Sequence, residues 1–283
     1  MAKILINFGI LLLMKEIFLG KCQKGTIMKK YEYDFYGIVK DWDFSAIKYT
    51  EERLTDWDMA KIICQLATKK SKILDLGTGG GEKVLEYFPE VKEILGTDFS
   101  DAMIETARAN LKKSGKTNIT FRKMDNLDMD TPKEYFDLVV ARHTCIDPAQ
   151  IYETLKPGGK LVVRGVDQLD CWELKRLFDH GQGYRDQKSI SRIDYEAILD
   201  AGFKDVELVP IHIREYYQTP EDLLALLRKA PIIEDFSETQ PEKNELRYEI
   251  EPELFEKYVA EHRTAKGILL VRRYYGITAK KSR

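Results

Sequence analysis

Short apolar runs alternate with stretches whose apolar positions recur at helical spacing through the middle of this chain. Ile73, Leu74 and Leu76 run into Gly77, Gly79, Gly80 and Gly81, which predicts a strand, a tight loop and a helix over residues 80–88. A second apolar segment, 91–97, ends in Asp98, and Ser100 is placed to cap a helix over 101–113 with Met103, Ile104, Ala107 and Leu111 as its buried stripe. Residues 118–122 read as a third strand and 136–141 as a fourth, the latter apolar after Asp137 and therefore expected to be buried on both faces. A helix closing over 151–155 stops at Lys156-Pro157-Gly158-Gly159, where the chain turns into a fifth strand, 160–165. Repetition of strand and helix predicts a parallel sheet with right-handed crossovers. Upstream, Leu54, Met59, Ile62, Ile63 and Leu66 predict one helix over 51–68 leading into the first strand.

Past residue 165 the pattern changes. Helices are expected at 170–178 and 191–201, separated by a polar loop at 181–186, and a long strand at 206–217. An insertion at 219–266 carries a helix with Leu223, Leu224, Leu226 and Leu227 behind the cap Thr219-Pro220-Glu221-Asp222, an acidic loop at 238–245 and a helix at 253–262. A last strand follows at 267–275. The insertion suits a substrate lid, a dimer surface or a cover for the sheet edge equally well. Residues 28–70 form the expected N-terminal cap. Its rings, Tyr31, Tyr33, Phe35, Tyr36, Trp42, Phe44, Tyr49 and Trp57, either close over a cofactor or pack on the core.

Glycine permits positive φ and close approach of a ligand, and the N–H groups of the following helix point at any anion bound there. The loop thus fits a nucleotide-like cofactor, with a plain glycine-rich turn as the alternative. Asp98, closing the next strand, is placed to accept from ribose hydroxyls. A dinucleotide fingerprint starting at Gly77 needs glycine or alanine where Glu82 stands; the residues fit D-x-G-x-G-x-G from Asp75 to Gly81 instead.

With that spacing, D-L-G-T-G-G-G-E, G-T-D-F-S at 96–100, M-D-N at 124–126, F-D-L-V-V-A at 136–141 and L-K-P-G-G-K-L at 155–161 resemble, in order, the motifs of class I S-adenosylmethionine-dependent methyltransferases. The resemblance covers about residues 48–217 and the final strand. It implies an α/β, Rossmann-like, doubly wound sheet of seven mostly parallel strands. The last strand, antiparallel, would pair with 206–217, so that 71–218 and 267–278 make the core. It also implies S-adenosylmethionine as cofactor, with Asp125 accepting from the adenine amine and the Asn126 N–H serving a ring nitrogen. Phe99 lies against the adenine or in the core. The candidate cofactor set is Asp75, Gly77, Thr78, Gly79, Gly81, Asp98, Phe99, Asp125, Asn126 and Arg142.

The fourth strand ends in Arg142-His143-Thr144-Cys145 at the edge that faces the ligand crevice in such sheets. His143 is the candidate catalytic base for a hydroxyl or amine acceptor, or else it orders the loop or touches the adenosine. The Asn/Asp-Pro-Pro-aromatic signature of amino-methylating nucleic-acid enzymes is missing here. No Pro-Cys pattern surrounds Cys145, which disfavours a cysteine nucleophile.

Composition narrows the partners. Lys plus Arg number 45 against 47 Asp plus Glu, a net charge of −2, so nothing global attracts a phosphate backbone and a nucleic-acid partner is unlikely. Four cysteines without metal or disulfide spacing fit reduced thiols in the cytoplasm, and no metal site is expected. The apolar run 4–13 is too short to span a bilayer, and no membrane association is expected. Lys24-Gly25 would be encoded by a purine-rich, ribosome-binding-like sequence ahead of Met28, so 1–27 is expected to be a non-native leader if the source is bacterial. The reading is methyl transfer to an oxygen, nitrogen or carbon of a small molecule. Alternatives are an RNA or protein methyltransferase, a non-catalytic S-adenosylmethionine-binding module and, third, a nicotinamide oxidoreductase. Sequence leaves the oligomeric state open.

Overall fold

The computed structural model describes residues 44–233, 238–240, 245–247 and 251–283. The expected leader, the rings from Tyr31 to Trp42 and part of the acidic loop at 238–245 lie outside the described residues. In chain order the elements are β1 (Tyr49–Arg53), α1 (Met59–Leu66), β2 (Lys72–Leu76), α2 (Glu82–Tyr87), β3 (Glu93–Asp98), α3 (Asp101–Ser114), β4 (Ile119–Lys123) and β5 (Phe136–Arg142). Then come α4 (Pro148–Thr154), β6 (Leu155–Val166), α5 (Trp172–Phe178), α6 (Ile190–Asp200), β7 (Lys204–Tyr217), α7 (Pro220–Lys229), β8 (Glu238–Gln240) and β9 (Glu245–Arg247). The chain closes with α8 (Pro252–His262), β10 (Arg263–Thr264) and β11 (Gly267–Lys280).

The main sheet has the order β1-β7-β11-β6-β5-β2-β3-β4. Strands β4, β3, β2, β5 and β6 are parallel, and β11 lies antiparallel between β6 and β7. The chain winds outward from β2 through β3 to β4 and then returns to β5 on the other side of β2. The crevice at the carboxyl ends of β2 and β5 is therefore the topological switch point, where open α/β sheets bind ligands.

One expectation is corrected. The stretch 51–68 is not a single helix: Tyr49–Arg53 pairs along β7, from Tyr49 opposite Tyr217 to Arg53 opposite Ile213, and adds an edge strand to the expected seven. Helix α1 begins only where the Asp58 side chain accepts from Lys61 N at 3.0 Å. The long β7 would otherwise present a row of unpaired backbone groups, and pairing outweighs the weak helical signal of 49–53. Elsewhere the local signals hold: Ser100 caps α3, and Thr219 with Asp222 forms a capping box on α7.

One sheet face (Val139, Ala141, Leu161, Val163, Ile277) packs against α4 and α6 through Ile151 and Ile198. Ile73, Leu138, Val140 and Val162, on the other face, meet Ile63, Val84, Ile104 and Ala107 of α1, α2 and α3. The insertion helices α7 and α8 join α5 over the end of β7 and β11, burying Leu223, Leu227, Phe255 and Tyr258 with Leu174, Tyr217 and Ile268. Burial of each such side chain is worth about 1.5–3 kcal/mol. The described part of the insertion thus covers the sheet end.

Candidate functional site

Gly77, Gly79 and Gly81 of the β2–α2 loop have φ of +70°, +57° and +77°. Their roles differ. A Cβ on Gly77 would lie 2.7 Å from Thr144 Cβ, and one on Gly81 would lie 2.6 Å from Phe121 Cζ, so protein packs against both. Gly81 is not on the cavity wall, contrary to its expected place in the cofactor set; it is the positive-φ N-cap of α2. Gly79 does line the cavity, and its N–H donates to Asp98 Oδ2 at 3.0 Å.

Asp98 Oδ1 accepts from Ser100 N, also at 3.0 Å, and burial raises the carboxyl pKa despite these bonds. Each oxygen keeps a second lone pair, so the residue holds the loop without exhausting its capacity to accept from a diol. Asn126 is buried, with Nδ2 donating to Thr144 Oγ1 at 2.9 Å and Oδ1 accepting from Thr97 Oγ1 at 3.4 Å. Thr78 is buried in the loop, and Phe99 is partly buried on the cavity wall. Asp125 is exposed and outside that wall, and its Oδ1 accepts from Leu127 N at 2.9 Å in a tight local turn. Asp75 is buried in β2, and desolvation, partly offset by Arg142, pushes its pKa up to about 6. Asn110, which sequence reasoning missed, donates from Nδ2 to Gly80 O at 2.9 Å and ties the loop to α3.

Gly77, Thr78, Gly79, Asp98, Phe99 and Asn126 line a cavity of about 1360 Å³ that continues over the face of β6, β11 and β7. His143 stands between the two parts with φ +53°, its ring parallel to that of Tyr274 at 5.2 Å. The ring is reachable from the cavity yet surrounded by protein; desolvation first, then Arg164, Arg142 and Arg272, hold its pKa well below the ordinary 6.5. The imidazole is therefore neutral near pH 7, with a free lone pair but a weaker basicity than an unperturbed histidine.

Register places Arg142, Arg164 and Gly276 in one row across β5, β6 and β11. Alternation brings Tyr274 and Arg272 to the same face. Arg272 donates from Nε and Nη2 to Asp170, at 3.0 Å each, and from Nη1 to Glu215 at 3.3 Å. Tyr217 OH donates to Glu215 Oε2 at 2.6 Å. Phe44, Tyr49 and Trp57 pack on the core and also line the cavity. Sequence reasoning missed Arg164, Arg272 and Glu215; only for Arg164, which follows the apolar run Leu161-Val162-Val163, was there a local signal. Among the described residues no three His, Cys, Asp or Glu side chains are grouped to hold a metal, and no helix is long and apolar enough to cross a membrane.

A family model described as "Methyltransferase domain" matches residues 67–204. The chain is 32% identical over 100 residues to the demethylmenaquinone methyltransferase of Lactococcus lactis, covering 32% of this chain and 40% of that one. It is 24% identical over 203 residues to the ribosomal protein L11 methyltransferase of Bacillus subtilis, covering 62% and 63%. Matches among the first curated relatives span from 28% to 63% of their lengths. The solved [4+2]-cyclase SpnF superposes with a TM-score of 0.50 at 16% identity, over 79% of this chain and 80% of that one, a likeness of fold alone.

Proposed function

We propose that this chain, a member of the class I S-adenosylmethionine-dependent methyltransferases, transfers the methyl group of S-adenosylmethionine to a nucleophilic oxygen, nitrogen or carbon of a small molecule. The observation that carries the reading is the continuity of one cavity from the Asp98-tethered glycine loop to the polar face around His143 and Arg164. Its volume exceeds the roughly 300–1,000 Å³ of a typical single-ligand pocket, which supports room for a cofactor and an acceptor side by side.

The residues fit the cofactor. Gly79 leaves its side of the cavity without a side chain, and Asp98 has acceptor capacity for a diol. Asn126 and Phe99 border the same space, and Arg142 would neutralise a carboxylate. The cofactor supplies an electrophilic methyl on a sulfonium. What remains for the chain is to align the acceptor and exclude water, and orientation of that kind supplies up to about 7–11 kcal/mol in favourable cases. His143, neutral and beside the acceptor half, takes a proton on an imidazole nitrogen where the acceptor arrives protonated. A near-neutral net charge and a concave site support a small acceptor over a nucleic acid.

A protein acceptor is the second reading, favoured by the extent of the match to the ribosomal protein L11 methyltransferase. Incubation with methyl-labelled S-adenosylmethionine and a cell extract, followed by separation into metabolites, RNA and protein, distinguishes the two. Label in the metabolite fraction supports a small acceptor; label confined to protein or RNA contradicts it.

A further inference from the structure

Among the described residues, one cation in the acceptor half of the cavity has no carboxylate partner. Arg272 is neutralised by Asp170 and Glu215, and Arg53 by Glu51 and Asp58 at 2.8 Å each. Arg142 has Asp75 and Glu82 as stabilising charges. Arg164 lines the same cavity, and its guanidinium carbon lies 4.3 Å from the centroid of the Tyr274 ring. Among the described residues it has no hydrogen-bonded or ion-paired carboxylate. Burial disfavours its charge most; Tyr274 favours the charged form, and Arg142, Arg272 and Arg53, all of its own sign, disfavour it.

Holding a desolvated cation beside like charges is unfavourable unless a partner of opposite sign arrives. A face-on ring gives a guanidinium a flat support and leaves its in-plane N–H fork free for a bidentate partner. That fork matches the paired oxygens of a carboxylate or phosphate. The position is fixed from below: Arg164 lies on a central strand paired on both sides, opposite Arg142 on β5 and Gly276 on β11. Gly276 itself is covered by Trp57, since a Cβ there would meet Trp57 Cε2 at 2.3 Å. His143 N donates to Arg164 O at 2.8 Å, so the candidate base and the candidate anchor share one backbone hydrogen bond.

We propose that Arg164 anchors an oxyanion, a carboxylate or a phosphate, carried by the methyl acceptor, so that the substrate is an acidic small molecule whose nucleophilic atom lies near His143. This rests on the small-acceptor reading and narrows it.

The test uses the whole chain saturated with S-adenosylhomocysteine and three probes followed by ligand-observed NMR: benzoate, phenyl phosphate and, as a neutral control, benzyl alcohol. Wild-type protein should bind at least one anion and the alcohol at least about tenfold more weakly. Arg164→Gln should weaken that anion at least about tenfold while S-adenosylhomocysteine binding stays unchanged, and Arg164→Lys should recover part of it. Preference for benzoate or for phenyl phosphate assigns the carboxylate or the phosphate. Equal binding of all three probes, binding of none, or an unaltered anion affinity in Arg164→Gln would overturn the proposal. Labelling of a neutral or cationic metabolite overturns the anchor and leaves the small-acceptor reading standing; labelling of protein alone overturns that reading instead.

Discussion

The backbone N–H of Gly79 donates to the Asp98 carboxylate over 3.0 Å, so the residue that ends β3 also holds the glycine loop that follows β2. Asp98→Ala removes this tether together with an acceptor for the ribose. Affinity for S-adenosylmethionine should fall by about 1–3 kcal/mol, the usual consequence of leaving polar groups unpaired. Calorimetry on the variant would show this as a drop of roughly five- to 150-fold, and an unchanged affinity would place the cofactor elsewhere.

A side chain at Gly81 would meet Phe121. Gly81→Ala combines positive φ with a Cβ 2.6 Å from the Phe121 ring, and should destabilise the fold by about 1–3 kcal/mol. In a Phe121→Leu background part of that loss should disappear. Urea unfolding of the four proteins of the cycle measures the coupling, and strictly additive effects would rule out the contact as the reason for glycine.

His143 ties stability to pH. Its folded pKa is held below 6.5, so the unfolded chain takes up the proton more readily and the fold loses stability as pH falls below about 6.5. His143→Asn, a residue that accepts positive φ, should flatten the stability profile between about pH 5.5 and 7. If the imidazole is also the proton acceptor, the same change lowers kcat by roughly 100-fold or more with little change in KM. An unaltered pH slope in unfolding experiments would remove the electrostatic account of this residue.

Asp75 works in the opposite range. With its pKa raised from 3.8 to about 6, the folded state binds the proton more tightly, and ionisation between about pH 4 and 6 takes stability away. Asp75→Asn should flatten that part of the profile and be more stable than the native chain at pH 7 by on the order of 1–3 kcal/mol. Loss of stability at pH 7 would show that the pairing with Arg142 outweighs the burial.

What was legible in the chain was local. The glycine loop, Asp98, the Ser100 and Thr219 caps and the β–α repeats are each written within a few residues, and each appears in the fold. What was not legible depends on partners distant in sequence. Residues 49–53 are a strand because β7 offers an open edge, and nothing within the pentapeptide announces that edge. The packing partner of Gly81, Phe121, arrives from β4, and the loop sequence does not announce it. The convergence of Arg164, Tyr274, Arg272 and Glu215 requires the register of β6, β11 and β7, which the apolar patterns of those strands leave undetermined.

Everything proposed for the acceptor half depends on the Asp98-tethered loop being an S-adenosylmethionine site. Calorimetric titration of the purified protein with S-adenosylmethionine, S-adenosylhomocysteine and NAD in parallel tests it most directly. Saturable, one-to-one binding of the first two and none of NAD is the predicted result. Failure of S-adenosylmethionine to bind, or preferential binding of NAD, would contradict it.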